Sequence, residues 1–121
     1  MIRVDRRQPD QLREIEIIPD VLRHADGSCE IRWGKNRILC GATINAQVPG
    51  WMIGRGSGWL TAEYAMLPLS GGRRIPREIS KGKPNSRSVE IQRIIGRSLR
   101  SIFDLKALGE RSIIVDCDVI E

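Results

Sequence analysis

Residues that bind metals through sulfur or imidazole are scarce in this 121-residue sequence. It contains three cysteines, an odd number without close pairing, and one histidine, His24, in a polar turn. A zinc site needs four ligands and usually a closely spaced cysteine pair, so this pattern favours a structural role for the cysteines over a metal site. Cys29, Cys40 and Cys117 each fall on an alternating strand pattern, where a buried thiol behaves as a small hydrophobic side chain. We therefore expect the cysteines to be structural.

The sequence also lacks a long apolar run. No stretch approaches the roughly 20 apolar residues that a membrane-spanning helix needs. Residues 1–11 are charged and have no apolar core, which is not the pattern of a secretory signal. We therefore expect a cytoplasmic protein without a membrane partner. With 40% hydrophobic and 29% charged residues, the composition is that of one ordinary globular domain.

Acidic residues are scarce in one segment, residues 71–100. This segment holds nine of the 20 Lys+Arg residues and only Glu78 and Glu90 as acids, so its charge is +7, whereas the rest of the chain sums to −2. A concentrated positive field attracts polyphosphates and is typical of a nucleic-acid-binding surface. For a basic run taken alone, the alternative is a solvated loop and helix face without a ligand.

Alternating apolar residues predict an antiparallel meander of three strands near the start of the chain. We expect these strands at residues 13–17, 29–33 and 37–44. Residues 34–36 would form the hairpin connection between the second and third strands. The glycine-rich stretch 48–58 precedes another predicted strand, residues 59–64, and not a helix. We therefore interpret its glycines as a tight connection and not as a nucleotide-binding loop.

One long amphipathic helix is predicted after the polar loop 69–85. Its apolar residues recur at helical spacing and should face a core: Ile91, Ile94, Ile95, Leu99, Ile102 and Phe103. Asn85, Ser86 and Ser88 offer capping side chains before it. Gly96 in its middle costs about 1 kcal/mol and indicates close contact with another backbone. Another face carries a basic ridge formed by Arg93, Arg97 and Arg100.

The last predicted strand, residues 112–120, places Asp116 and Asp118 on one face. Two neighbouring carboxylates could bind a divalent cation or act in acid–base catalysis. They could equally pair with the arginine ridge, which we favour because charge pairs are the commoner arrangement. The predicted fold class is therefore α+β, with an antiparallel or mixed sheet and one long amphipathic helix.

A phosphate site is expected at the start of the predicted helix. Helix N-termini bind phosphate through free backbone N–H groups, and Arg87 lies there with Ser86 and Ser88 as further donors. The basic loop before the helix would follow an RNA backbone without reading its sequence. The loop residues expected to do so are Arg73, Arg74, Arg77, Lys81 and Lys83. Phosphoryl transfer on RNA and plain RNA binding both fit this pattern.

Stretches along the whole chain resemble the ribonuclease PH family. The specific ones are residues 58–68, which contain Trp-Leu-Thr-Ala-Glu-Tyr, and residues 90–100, Glu-Ile-Gln-Arg-Ile-Ile-Gly-Arg-Ser-Leu-Arg. The resemblance implies a phosphate-dependent 3′→5′ exoribonuclease, also a nucleotidyltransferase, that trims transfer RNA precursors, acts on other RNA and releases nucleoside diphosphates. It also implies a βαβ unit of left-handed crossover, inorganic phosphate as co-substrate, Mg²⁺ as cofactor, and a homo-oligomeric hexameric ring.

The resemblance carries over to individual residues. It assigns phosphate contact to Arg87 and transfer RNA contact to Arg74 and Arg77. Leu69 stands where the family has a third loop arginine, a role that the neighbouring Arg73 could partly take. The family's helix arginines near subunit contacts and the active-site rim correspond to Arg93, Arg97 and Arg100.

The resemblance further implies that residues 1–121 are the N-terminal part of a single, truncated ribonuclease PH domain. In the family, a Gly-Thr-Arg segment that completes the phosphate site and the acidic residues that hold the metal lie beyond the position of Glu121. No catalytic residue is therefore assigned, and we expect the chain alone to be inactive or nearly so. Two alternatives stay open: a non-catalytic RNA-binding or assembly module, and a non-functional remnant whose final strand exposes an apolar face.

Overall fold

A computed structural model describes residues 2–83 and 85–121 of the chain. Within these residues, 3₁₀ turns lie at Gly50–Met52 and Glu78–Lys81. The strands and helices are β1 (Ile15–Pro19), β2 (Gly27–Trp33), β3 (Asn36–Asn45), β4 (Trp59–Met66), α1 (Ser86–Arg100), α2 (Leu105–Leu108) and β5 (Ser112–Val119). The predicted elements are thus present, and their ends shift by a few residues.

The strands of the described residues form one mixed sheet in the order β1-β2-β3-β5-β4. β1, β2 and β3 form the predicted antiparallel meander, β5 pairs antiparallel with β3, and β4 pairs parallel with β5. Parallel neighbours need a crossover connection, and α1 lies in it, so β4, α1 and β5 form a βαβ unit. The predicted α+β class with one long helix is confirmed. The left-handed sense of the crossover stays a prediction.

The core lies where α1 packs over the β4–β5 end of the sheet. Its buried apolar side chains are Met52, Leu60, Ala62, Ile113 and Cys117. Gly58 shows how closely the chain packs there, because a Cβ at this position would lie 2.8 Å from the carbonyl oxygens of both Gly109 and Arg111. This close packing is what the interpretation of the glycine-rich stretch as a tight connection predicts.

Two predictions about burial are wrong. Ile15 and Ile17 share a face as expected, but they are 46% and 62% exposed. The reason is that β1 lies at the edge of the sheet farthest from β4 and α1. The remnant hypothesis predicts that the final strand exposes an apolar face, yet Ile113 and Cys117 of β5 are buried. β5 is an interior strand beside α1. The apolar face left open belongs mainly to β1, β2 and β3, and Val115 and Cys117 of β5 border the groove between that face and α1.

α1 has a narrower contact stripe than its apolar pattern predicts. It ends at Arg100, so Ile102 lies beyond it and is 76% exposed, and Ile94 is 54% exposed. The residues that face the sheet are Ile91, Ile95 and Leu99, which line a groove against β3 and β5. None of the described helices has the length and apolar character to cross a lipid bilayer.

Candidate phosphate and RNA-binding site

Two polar side chains attach α1 to the free edge of β4. Gln92 Oε1 accepts a hydrogen bond from the backbone N–H of Tyr64 (3.1 Å), and Arg100 Nη1 donates one to the carbonyl oxygen of Leu60 (2.8 Å). An edge strand needs such partners because no neighbouring strand satisfies these groups. The later helix residue contacts the earlier strand residue, so α1 runs antiparallel to β4. The N-terminus of α1 therefore lies at the carboxyl ends of β4 and β5.

Gly96 allows α1 to lie this close to β4. It is buried, and a Cβ at this position would lie 3.8 Å from the backbone nitrogen of Ala62 and 3.0 Å from Arg100 Nη1. The close contact with another backbone that the sequence predicts is confirmed. A larger side chain here would push the helix or the Arg100 guanidinium away from the strand.

The start of α1 is held by a cap and by the loop that precedes it. Asn85 Oδ1 accepts a hydrogen bond from the backbone N–H of Ser88 (2.8 Å), as the capping pattern predicts. Ser88 is buried, and its hydroxyl donates to Glu78 Oε1 (2.5 Å). The Ser88 hydroxyl, which we expected to be a free phosphate donor, is therefore occupied. The loop folds back and brings a carboxylate to the helix N-terminus, where the dipole favours negative charge.

Arg87 lies in the first turn of α1 with its side chain exposed. Within residues 2–83 and 85–121, no carboxylate forms an ion pair with it and no acceptor bonds to its guanidinium. An unpaired guanidinium at a helix N-terminus can bind a phosphate through two parallel hydrogen bonds. The structure thus leaves Arg87 available for the contact that the sequence predicts, a role that stays a prediction.

The basic loop begins and ends at the same edge of the sheet. Leu67 N–H bonds to the Val119 carbonyl at the end of β5 (2.9 Å), and Ile75 N–H bonds back to the Pro68 carbonyl (2.8 Å). The loop then passes through the 3₁₀ turn to the start of α1. Its five basic side chains are all exposed: Arg73, Arg74, Arg77, Lys81 and Lys83. The predicted RNA-binding cations therefore belong to a loop that leads directly to Arg87.

The predicted basic ridge of α1 contains two exposed arginines and one that is bound to the fold. Arg93 is exposed and lies 3.8 Å from the carboxylate of Glu90, and Arg97 is exposed. Arg100 is different, because it donates to Leu60 and stacks over the Trp59 ring at 4.5 Å from the centroid. Its place in the ridge is corrected: its guanidinium lies beside Gly96 and reaches the edge of β4, where it has a structural role.

Asp116 and Asp118 do not pair with the arginine ridge. Side chains alternate along β5, and Val115 and Cys117 face α1, so the two carboxylates lie on the opposite face of the sheet. No ion pair joins them to an arginine among the described residues. The part of the chain that the structure describes also has no group of three or more His, Cys, Asp or Glu side chains placed to hold a metal ion. These two residues alone do not fit a magnesium centre, so no reaction step is assigned to a metal.

Sequence reasoning missed two residues that position the site. Gln92 was detectable in principle, because it is a polar residue beside Ile91 and Ile95 on the stripe that faces the sheet. Glu78 gave no local signal, since it lies in the 3₁₀ turn and its partner Ser88 lies ten residues further along the chain, inside α1.

Comparison with known proteins gives a consistent picture. The model of a 3′ exoribonuclease family, domain 1, matches residues 11–121. Ribonuclease PH of Mesorhizobium japonicum (strain LMG 29417 / CECT 9101 / MAFF 303099) is 52% identical over 120 residues, which are 99% of this chain and 50% of that protein. Ribonuclease PH of Methylobacterium sp. (strain 4-46) is 48% identical over 120 residues, 99% of this chain and 51% of that protein. The chain thus spans about half the length of the curated relatives it matches.

Solved structures share the fold. The Archaeoglobus fulgidus exosome with RNA bound to the active site matches 99% of this chain and 48% of that chain, with a TM-score of 0.82 and 25% identity. Rice (Oryza sativa) Rrp46 matches 97% of this chain and 50% of that chain, with a TM-score of 0.74 and 19% identity, and shows the fold alone.

Proposed function

Because the chain belongs to the RNase PH family of 3′ exoribonucleases, we propose that it takes part in phosphate-dependent 3′→5′ trimming of RNA, with transfer RNA precursors as the substrate. We further propose that residues 1–121 are the N-terminal part of one such domain. One observation carries the proposal: the Arg87 guanidinium is exposed and unpaired within the described residues, at the helix N-terminus to which a basic loop leads.

In the proposed reaction, inorganic phosphate attacks the phosphorus of the last phosphodiester bond. A new P–O bond forms, the 3′-oxygen of the penultimate nucleotide leaves and takes up a proton, and a nucleoside diphosphate is released. Arg87 would bind the attacking phosphate and orient it, and the loop cations would hold the RNA backbone. The leaving oxygen also needs its charge neutralised, which Arg87 cannot do while it binds phosphate. We therefore expect little or no turnover from this chain alone.

Glu78 is expected to oppose phosphate binding. Its carboxylate is bonded to Ser88 at the start of α1, and like charges a few ångströms apart repel by about 1 kcal/mol even in water. Glu78→Gln keeps an oxygen that can accept from Ser88 and removes the charge. Phosphate should then bind roughly fivefold more tightly, as that energy implies.

Three further features implied by the resemblance are part of the proposal. They are a requirement for Mg²⁺, assembly into a hexameric ring, and a cytoplasmic location. The magnesium requirement is tested by omitting the ion from the assay, and the ring by measuring the mass of the particle in solution.

The experiment measures nucleoside diphosphate release from a transfer RNA with a 3′ extension, with and without inorganic phosphate. One arm contains the chain alone. A second arm adds, as a separate polypeptide, the part of the Mesorhizobium japonicum relative that this chain does not match. Each arm is repeated with Arg87→Ala and with Arg23→Ala, a matched control because Arg23 is exposed in the turn after β1. Phosphate affinity is measured in parallel for the same variants and for Glu78→Gln.

We expect phosphate-dependent release in the second arm, lost in Arg87→Ala and kept in Arg23→Ala. Release of nucleoside monophosphates without phosphate would mean hydrolysis and would overturn the proposal.

RNA binding provides a separate readout, because its affinity falls with salt in proportion to the phosphates contacted. Replacing Arg73, Arg74 and Arg77 with alanine should reduce the slope of log affinity against log salt by roughly 2. Binding that Arg87→Ala leaves intact, without product in either arm, would support the non-catalytic alternative.

A further inference from the structure

Three cysteines lie side by side across the sheet, outside the phosphate site. Cys29 of β2 is in register with Cys40 of β3, and Cys40 is in register with Cys117 of β5. The Sγ atoms of Cys40 and Cys117 are 3.7 Å apart, and all three thiols are free. Cys40 and Cys117 are 77 positions apart in the sequence, so only the sheet register brings them together.

The register also makes Cys40 and Cys117 the closer pair. Arg37 exchanges backbone hydrogen bonds with the end of the chain, from its N–H to the Glu121 carbonyl (2.8 Å) and from the Ile120 N–H to its own carbonyl (2.9 Å). Hydrogen-bonded and non-hydrogen-bonded pairs alternate along an antiparallel ladder, so Cys40, three residues further on, forms a non-hydrogen-bonded pair with Cys117. Such pairs have Cα atoms about 4.5 Å apart, within the range of about 4.4–6.8 Å found in disulfides.

A small oxidant can reach this pair. Cys40 and Cys117 line an open groove of about 580 Å³ between the sheet and α1, with Ile95 and Phe103 on the helix side. The hydrogen bond from the Cys40 thiol lowers the pKa of Cys117, and the same bond together with burial raises the pKa of Cys40. Burial raises the pKa of Cys29. Cys117 is therefore the thiol best suited to react first, since the thiolate is the nucleophile.

We propose that Cys40 and Cys117 are a reversible oxidation site that forms a cross-strand disulfide with hydrogen peroxide. The Cys117 thiolate attacks one peroxide oxygen, the O–O bond breaks, and hydroxide leaves and takes up a proton, which gives a sulfenic acid. Cys40 sulfur then attacks Cys117 sulfur, the S–O bond breaks, and water leaves with the Cys40 proton. In total, two thiols lose two electrons to one peroxide, and two waters form. A dithiol reductant reverses the step by thiol–disulfide exchange.

Trypsin separates the three cysteines, which makes the test specific. Cleavage after Arg and Lys places Cys29 in peptide 24–32, Cys40 in peptide 38–55 and Cys117 in peptide 112–121. The folded, reduced chain is treated with hydrogen peroxide, its remaining thiols are alkylated, and linked peptides are identified by mass spectrometry. We expect free thiols to fall from three to one per chain and peptide 38–55 to be linked to peptide 112–121. Dithiothreitol should restore all three.

Two variants keep the test decisive. Cys29→Ser should form the same link, because Cys29 takes no part in it. Cys40→Ser should form no internal disulfide, because β2 and β5 are not neighbours, and its oxidised Cys117 should be trapped by a sulfenic-acid reagent. A dominant link between peptides 24–32 and 38–55 would overturn the proposal. Disulfides formed only between chains, or no disulfide in the folded protein, would also overturn it.

Discussion

Replacing Arg100 with methionine should lower the free energy of unfolding by about 2–4 kcal/mol. Methionine keeps the apolar stem of the side chain and removes the guanidinium. The substitution thus deletes the hydrogen bond to the Leu60 carbonyl and the cation–π contact with Trp59. It also leaves a carbonyl at the strand edge without its partner.

The magnitude follows from those contacts. A hydrogen bond from a charged donor contributes about 1.5–3 kcal/mol, and this one is 2.8 Å long. A cation over an indole ring contributes about 0.5–1 kcal/mol where solvent is near. The Trp59 ring is itself fixed by an edge-to-face contact with Trp51, with centroids 4.7 Å apart, so it has little freedom to follow a smaller side chain.

Urea unfolding followed by tryptophan fluorescence measures this difference. Arg97→Met is the matched control, because Arg97 lies one turn earlier on α1 and is exposed; it should change stability by less than about 0.5 kcal/mol. Arg100→Lys should fall between the two, since an ammonium can reach the carbonyl but lacks the planar group that stacks on the indole. Equal stability of Arg100→Met and Arg97→Met would refute the role assigned to Arg100.

Two further predictions concern close packing and pH. Gly58→Ala should lower the free energy of unfolding by about 3 kcal/mol, because its Cβ would meet two backbone oxygens at 2.8 Å that cannot rotate away. Gly50→Ala is the control: nothing lies within 4 Å of its Cβ, so it should lower that free energy by less than about 0.5 kcal/mol in the same assay. Similar losses for the two variants would contradict this account. Hydrogen bonds from Arg32 and then Arg37 lower the pKa of Glu30 in the folded protein. The stability that these bonds provide should therefore be complete above the ordinary glutamate pKa of about 4.3, and it should be lost as the pH falls through the lowered pKa of the folded state. When unfolding is measured across that pH range, Glu30→Gln should lose less free energy of unfolding on acidification than the unsubstituted chain. Identical pH profiles for the two proteins would contradict this prediction.

The strands were predictable because their signal is local. Alternation within β2, β3 and β5 marks which side chains share a face, and that survives in the structure. What alternation cannot say is which face another element covers. Ile15 and Ile17 follow the same pattern as buried strand residues, yet α1 lies at the far edge of the sheet. Burial of a strand face depends on the whole topology, which no short window contains.

The candidate site divides in the same way. Arg87 and its position at the helix start were predictable, because the cap at Asn85 and the apolar spacing that follows are both local. The surroundings of Arg100, Glu78 and Asp116 were not predictable, because they depend on residues that are distant in the sequence. Arg100 and Asp116 were expected to be candidates for the same ion-pair network, but the Arg100 side chain bonds to β4, and the alternation of β5 places Asp116 on the opposite side of the sheet.

The fold, and not composition alone, keeps the positive charge of segment 71–100 available. The buried Glu30 is bonded to two arginines on the sheet face away from α1, so its negative charge is paired there and does not neutralise the segment. Within the segment, the described ion pair is the exposed Arg93–Glu90 contact at 3.8 Å, which is weak. Glu78 bonds to a serine hydroxyl and not to a loop cation. Charges farther away than about 8 Å are screened at physiological salt, so only nearby carboxylates could neutralise the positive charge of the loop. Among the described residues, no carboxylate forms an ion pair with a loop cation.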